Sequence, residues 1–199
     1  MRIRIMINSK VQVDSEWGCK HSDVSHLTTD AKVAVYLVNI DDINKLANSM
    51  SSEILDKSWM YKLNADMQLS YQSSANETIA VLVEIFKNIQ TAKGHLTDSF
   101  GESLITMASA RLLECLLQHH RLPIAEIWKP QKKQNEGFDF HTVCTNNFIN
   151  FGEAKYSRSR NPYLDSLVQI DDFISKEKHF RDMDHLKTLA AGLPYNNLA

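Results

Sequence analysis

The chain has 199 residues, 43% of them hydrophobic and 23% charged, and its formal net charge is −2. These values are ordinary for a globular protein with a core of its own, and the net charge neither favours nor excludes a nucleic-acid partner. Three scattered cysteines, at positions 19, 115 and 144, exclude a disulfide framework and favour a reducing, cytoplasmic setting. No apolar run approaches the roughly 18 residues that a membrane span requires, so no membrane partner is expected.

Residues 1–75 are predicted to form a small mixed α/β N-terminal lobe that carries no chemical motif. Residues 2–13 and 31–38 are rich in β-branched side chains, which predicts strands. A short helix is expected from Asp41 to about Met50, because acidic side chains suit the positive end of a helix dipole. Residues 51–75 are polar, and no element is predicted there.

Residues 76–199 are predicted to form a second domain that opens with two helices. The pattern from Ser74 to Glu77 is a capping box, and apolar residues follow it at helical spacing. A second capping box, from Ser99 to Glu102, predicts a helix that runs to about His120. Periodicity predicts the remaining elements, which are strands at 124–128, 138–144 and 148–156 and helices at 164–178 and 182–191.

The last two predicted strands form a hairpin around a turn-type sequence centred on Asn146. That turn places Asp139 directly opposite Glu153. Side chains alternate along a strand, so Lys155 lies on the same face as Glu153. The hairpin therefore brings two carboxylates to about 5 Å from each other with an ammonium beside them.

Two opposed carboxylates flanked by aromatic residues are unfavourable unless a cation compensates their charge. Mg²⁺ is commonly held by one or two carboxylates while it keeps waters and substrate phosphate oxygens. Lys155 is suited to stabilising charge on a phosphate or positioning an attacking water. The hairpin thus predicts a metal-dependent hydrolytic site of Asp139, Glu153 and Lys155.

At Gly137-Phe138-Asp139 and Phe151-Gly152-Glu153-Ala154-Lys155 the chain resembles the PD-(D/E)xK nuclease superfamily. The resemblance implies a restriction-endonuclease-like α/β core of a helix, a three-stranded β-meander and a helix, closed by a further strand. It implies that Asp139 and Glu153 bind Mg²⁺ or Mn²⁺ and that Lys155 is catalytic. An acid on the preceding helix often completes the metal site in that family, and Glu102 is the candidate. Glu102 also fits the third position of the capping box, which requires no catalysis.

More narrowly, Gly101-Glu102 at a helix start, together with the same two motifs, is similar to the HamA family, the nuclease subunits of Hachiman antiphage defence systems. This resemblance covers roughly residues 95–180 and implies a DNA substrate and a helicase partner. The superfamily core closes with a strand after the second helix, which only residues 193–198 could supply. The chain is therefore expected to be a short version of the core or to complete its sheet with another chain.

Five basic residues make the region 129–160 locally positive, which suits contacts to a phosphate backbone and equally suits a solvated loop; they are Lys129, Lys132, Lys133, Arg158 and Arg160. Gln169 lies on the helix after the hairpin, where some superfamily members place a glutamine near the substrate. Packing of a helix face explains Gln169 equally well.

Two other functions remain open. One is a non-catalytic nucleic-acid-binding or assembly subunit that retains the nuclease fold. The other is a metal-dependent hydrolase of a different substrate. The group of Cys19, His21 and His26 is too sparse to predict a zinc site, which needs four well-spaced ligands.

Overall fold

Two three-stranded antiparallel sheets and seven helices make up the part of the chain that the structure describes. The computed structural model describes residues 11–128 and 137–191. In chain order the elements are β1 (Val11–Asp14), β2 (Cys19–Asp23), β3 (Tyr36–Ile40), α1 (Ile43–Leu55), α2 (Ser58–Tyr61), α3 (Ala65–Lys87), α4 (Asp98–Leu117), β4 (His120–Arg121), α5 (Ala125–Trp128), β5 (Phe140–Val143), β6 (Ile149–Gly152), α6 (Tyr163–Ser175) and α7 (Lys178–Ala191). The chain is therefore of mixed α/β class, as predicted.

The first sheet has the order β1-β2-β3. The part of the predicted first strand at positions 2–10 lies outside the described residues. The second predicted strand, at 31–38, is displaced toward the C-terminus, since β3 occupies 36–40. A turn precedes it, in which the Asp30 carboxylate accepts a hydrogen bond from the Lys32 N–H at 2.9 Å. This hydrogen bond within the turn competes with strand pairing at the start of the segment predicted as a strand, residues 31–38.

The sequence patterns located the N-terminal cap of α1 but not that of α3. Asp42 caps α1, as predicted, by accepting from the Lys45 N–H at 3.0 Å. By contrast, the capping box at 74–77 is wrong as a helix start, because α3 begins nine residues earlier, at Ala65, behind an Asn64 cap. The buried stripe from Ala75 to Phe86 is continued toward the N-terminus by the partly buried Met67 and Tyr71, so the whole segment is one amphipathic helix.

The main hydrophobic core is shared by both predicted parts of the chain. It contains Trp17 of the turn between β1 and β2, Met50 of α1, Phe86 of α3 and Phe100 of α4. The predicted division at position 75 falls inside α3. Helix α4 packs against β2 on one side and β5 on the other, so it connects the two sheets.

The second sheet is a meander of order β4-β5-β6 that follows α4 and precedes α6. Its first strand is at 120–121, and the strand predicted at 124–128 is wrong, because residues 125–128 form α5. The apolar residues of this segment at 124, 127 and 128 are buried, a spacing that suits a helical turn as well as a strand. The region 193–198, where a closing strand was expected, lies outside the described residues.

Helix α7 is tied to the hairpin by a buried carboxylate. Asp182 accepts hydrogen bonds from the Phe138 N–H at 2.9 Å and lies 3.1 Å from Nε2 of His141. Gly137 has a positive φ of 129°, and a Cβ at that position would collide with the Asp182 carboxylate. Glycine is therefore needed for the backbone to reach this carboxylate.

Candidate active site

The β5–β6 hairpin has the predicted register. Phe140 pairs with Gly152 and His141 with Phe151, which is the register of the predicted pair Asp139–Glu153. The ladder ends there, because β5 and β6 are shorter than the strands predicted at 138–144 and 148–156, and Asp139 and Glu153 lie just outside them. The Asp139 N–H donates to the Gly152 carbonyl at 2.9 Å, one residue out of that register. At the other end Asn147 adopts a positive φ of 62° in the turn, a conformation that asparagine tolerates well.

A side-chain contact holds Asp139 against the facing strand end. Its Oδ2 accepts a hydrogen bond from the Ala154 N–H at 2.7 Å. A charge-assisted bond of this length fixes the carboxylate between Glu153 and Lys155. The Ala154 side chain is buried, and its two neighbours meet in a 2.9 Å contact between Oε1 of Glu153 and Nζ of Lys155.

Glu153 is a buried acid. Its side chain is 1% exposed, and its Oε1 lies 2.9 Å from the Lys155 ammonium. Burial and the neighbouring Asp139 charge raise the pKa of Glu153 to about 7, while the Lys155 ammonium opposes that shift. A carboxyl group with a pKa near 7 loses its proton readily when a cation binds beside it.

A cavity of about 400 Å³ is lined by four charged groups of the site, and the buried Glu153 is not among its lining residues. Its lining includes Asp139 and Lys155 from the hairpin, Glu102 from α4 and Glu126 from α5. Glu102 is exposed and does not cap its helix, because the Thr97 hydroxyl caps α4 by accepting from the Phe100 N–H at 3.4 Å. The structure thus brings Glu102 to the same cavity as the hairpin residues.

Glu126 is a cavity residue that the sequence did not single out. It was placed on a strand predicted at 124–128, whereas α5 turns its side chain toward the cavity. The Ala125 N–H lies 3.4 Å from the Asp139 carbonyl, which brings α5 to the start of β5. An acid between buried apolar residues at helical spacing is the signal that could have identified it.

Gly101 lets the start of α4 approach the end of the hairpin. A Cβ at this position would overlap the Tyr156 ring, whose Cδ1 lies 2.5 Å away. Because a ring packs directly on the backbone, the turn that carries Glu102 lies beside Lys155 and Tyr156. Close approach, rather than an unusual φ, is the reason for glycine here.

The residues predicted to contact nucleic acid are spread around the site. Arg158 pairs with Asp98 at 3.1 Å, and Arg160 pairs with Asp165 at 2.7 Å. Arg158 also lines a second cavity, of about 520 Å³, that adjoins Tyr156. Gln169 is half-buried on α6. Lys129, Lys132 and Lys133 lie outside the described residues.

The donors around the cavity are oxygens, which suits a hard divalent cation. Asp139 and Glu153 are the natural ligand pair, with Glu102 and Glu126 on the opposite helices. Among the described residues, no three of these acids have ligand atoms that all lie within 4.8 Å of one another. A cation held by Asp139 and Glu153 would therefore keep several waters, as Mg²⁺ commonly does.

Comparison with family models, with curated proteins and with solved structures finds no match to this chain. Within the described residues, no helix combines the length and the apolar character needed to cross a membrane.

Proposed function

We propose that the chain is a metal-dependent nuclease that hydrolyses DNA phosphodiester bonds with Mg²⁺ or Mn²⁺. One observation carries the proposal, namely the cavity that Asp139 and Lys155 share with Glu102 and Glu126. Glu153 supports it, because a buried acid beside a second carboxylate is poised to bind a cation. The restriction-endonuclease-like core, the DNA substrate and the HamA likeness rest on the motifs at 137–139 and 151–155.

Each residue has a distinct task in this proposal. Asp139, oriented by the Ala154 N–H, and Glu153 hold the cation, with Glu102 or Glu126 reaching it directly or through water. When bound, Mg²⁺ would supply charge stabilisation for the phosphate and lower the pKa of a coordinated water. Lys155 stabilises the charge that develops on the phosphate and keeps Glu153 oriented through their 2.9 Å contact.

We further propose that the nuclease is the effector subunit of an antiphage system and works with a helicase. This step rests on the HamA likeness. A protein partner is also supported by an exposed apolar face on α6, formed by Tyr163, Leu164, Leu167 and Val168. Contiguous exposed apolar residues often mark protein interaction sites.

The decisive experiment is a nuclease assay with Mg²⁺ on linear and on circular DNA. The wild-type chain is compared with Asp139→Ala and Lys155→Ala, and with Asp184→Asn as a control on the exposed surface of α7. Cleavage by the wild type and the control, but by neither site variant, is the expected result. Cleavage that persists in both site variants would show that the assigned site is wrong.

The assay also separates the two alternative functions. A wild-type chain that binds DNA and never cleaves it, alone or with a helicase subunit, is a non-catalytic nucleic-acid-binding or assembly subunit. A chain that binds Mn²⁺ through Asp139 but has no affinity for DNA is a metal-dependent hydrolase of another substrate.

A further inference from the structure

A second group of metal-ligating side chains lies where the first sheet packs on α4, away from the nuclease cavity. It consists of Asp14 on β1, Cys19 and His21 on β2, and Cys115 on α4, and we call it the Cys–His cluster. The exposed fractions of Asp14, Cys19 and His21 are 6%, 1% and 0%. Buried groups of this chemistry are costly to hold together unless they share a partner.

The distances within the cluster place three side chains around one point. Nε2 of His21 lies 3.4 Å from Oδ2 of Asp14, and Sγ of Cys115 lies 3.7 Å from the same oxygen. Ligand atoms of Asp14, His21 and Cys115 all lie within 4.8 Å of one another, and around tetrahedral zinc, with bonds of about 2.0–2.3 Å, they are about 3.3–3.8 Å apart. Cys19 lies outside this group, although its Sγ is 3.7 Å from Nε2 of His21, so its side chain must shift to become the fourth ligand.

The surrounding charge also fits a dication with two thiolates. Zn²⁺ bound by two cysteine thiolates, a carboxylate and a neutral histidine has a net charge of about −1. Nε of Arg111 lies 2.7 Å from Oδ2 of Asp14, and the Arg111 side chain is 16% exposed. This guanidinium would balance the excess negative charge while the carboxylate remains a ligand.

We propose that the Cys–His cluster is a structural zinc site that fastens the first sheet to α4. Two thiols and an imidazole favour Zn²⁺ over Mg²⁺ or Ca²⁺, which prefer oxygen ligands. Glu102 and Cys115 are thirteen residues apart on α4, so the site lies roughly 20 Å from the nuclease cavity. Zinc here would hold the helix that presents Glu102, and the site does not depend on the proposed nuclease activity.

Cobalt substitution tests the proposal. The full chain is stripped of metal, kept reduced and titrated with Co²⁺, whose thiolate complexes show a charge-transfer band in the near ultraviolet. The expected result is one Co²⁺ per chain with this band, displaced by Zn²⁺. Oxygen-only ligands in the nuclease cavity cannot produce a sulfur band, so the readout belongs to the Cys–His cluster.

Near-isosteric variants identify the ligands. Cys19→Ser and Cys115→Ser should each weaken Zn²⁺ binding at least about tenfold and reduce the charge-transfer band. Cys144→Ser, at the β5–β6 turn and outside the cluster, is the matched control and should leave both unchanged. An unchanged band and affinity in Cys115→Ser would overturn the proposal, as would a wild-type chain that shows no band.

Thermal unfolding gives a second readout that needs no variant. Free zinc at about 100 times its Kd should raise the Tm of the wild-type chain by about 5–10 °C. The same zinc should leave the Tm of a Cys19→Ser/Cys115→Ser double variant nearly unchanged. A wild-type Tm that does not respond to zinc would mean that the cluster is an ion-pair network around Arg111 only.

Discussion

The Oδ2 atom of Asp139 accepts a hydrogen bond from the backbone N–H of Ala154 at 2.7 Å. This bond joins the residue before β5 to the segment directly after β6, which carries Glu153 and Lys155. It orients one carboxylate and fixes the backbone from which the other carboxylate and the ammonium project. The proposed metal ligands are therefore preorganised by the hairpin itself.

Asp139→Asn should lose metal binding without unfolding the chain. The amide keeps an oxygen that can accept from the Ala154 N–H, but it lacks the charge that binds a dication. Loss of several kcal/mol of electrostatic stabilisation corresponds to a fall in cleavage rate of about 100-fold or more. Mn²⁺ binding followed by electron paramagnetic resonance measures the first effect independently of activity.

Asp184→Asn serves as the control for this change, because its carboxylate is 73% exposed and distant in the chain from the hairpin. Its Mn²⁺ affinity should equal that of the wild type. Wild-type Mn²⁺ affinity in Asp139→Asn would contradict the ligand assignment.

Lys155→Ala should separate catalysis from metal binding. In the proposed mechanism the Lys155 ammonium stabilises the charge on the phosphate and does not bind the metal ion. The cleavage rate should therefore fall by about 100-fold, while Mn²⁺ still binds. Lys155→Arg retains the positive charge on a side chain of different shape, so it should cleave faster than Lys155→Ala and more slowly than the wild type. Equal losses of rate and of Mn²⁺ affinity in Lys155→Ala would mean that Lys155 acts only by holding Glu153.

Glu153 should make the stability of the metal-free chain depend on pH. Its pKa is raised in the folded state to about 7 from an ordinary 4.5. Between these values the folded chain retains a proton that the unfolded chain has lost. The free energy of unfolding therefore falls as pH rises through this window, by at most about 3 kcal/mol.

Urea unfolding in the presence of a chelator, at pH 5 and at pH 8, measures this dependence. Glu153→Gln carries no titrating group at the position and should show a smaller difference between the two pH values. Comparison with this variant removes the contribution of every other titrating group, because the two chains share them. A pH dependence identical in the variant and the wild type would show that Glu153 ionises normally.

Gly101→Ala should damage the site through packing. The added methyl group overlaps the Tyr156 ring, so α4 must move away from the strand end or Tyr156 must leave its position. Overpacking of this kind costs about 1–3 kcal/mol of stability. Thermal or urea unfolding checks the loss, and Glu102→Ala, an exposed position on the same turn, should stay within about 0.5 kcal/mol of the wild type. Equal stability of Gly101→Ala and the wild type would count against the packing assigned to Tyr156.

Arg158→Ala combined with Arg160→Ala should weaken DNA binding by an amount that depends on salt. Each phosphate contact contributes about 0.9 to the slope of log affinity against log salt, so the slope should decrease by about 2. Fluorescence anisotropy with labelled DNA at several salt concentrations measures the slope. Lys87→Ala, an exposed position on α3, is the control and should leave the slope unchanged. Retention of the full slope in the double variant would mean that the acidic partners Asp98 and Asp165 keep these arginines from the DNA.

The local pattern of the sequence was sufficient to predict the hairpin. Alternation along two strands and a turn centred on Asn146 predicted Asp139 opposite Glu153, and the observed ladder has that register but ends one residue short of this pair, at Phe140 and Gly152. Register is predictable there because a slip of one residue would turn every side chain of the strand to the other face. The helical spacing of apolar residues predicted the two helices at 164–178 and 182–191, which the structure places at 163–175 and 178–191.

Where two local signals competed, only the tertiary structure decided between them. The segment 124–128 suits a strand or a helical turn, and it forms α5, which packs against α3 and brings Glu126 to the cavity. Likewise, the capping pattern at 74–77 was overridden by a longer apolar stripe and an earlier cap at Asn64. Propensity is weak beside the burial of a whole helix face.

The chain's own order of residues thus determined which side chains the hairpin presents together, since neighbours on adjacent strands are set by turn position and alternation. It could not determine which residues from distant elements meet that hairpin. Glu102 and Glu126 reach the cavity because α4 packs closely at Gly101 and α5 forms at all. Cys115 meets Asp14 and His21 for the same reason, since contacts between residues a hundred positions apart depend on how helices and sheets share one core.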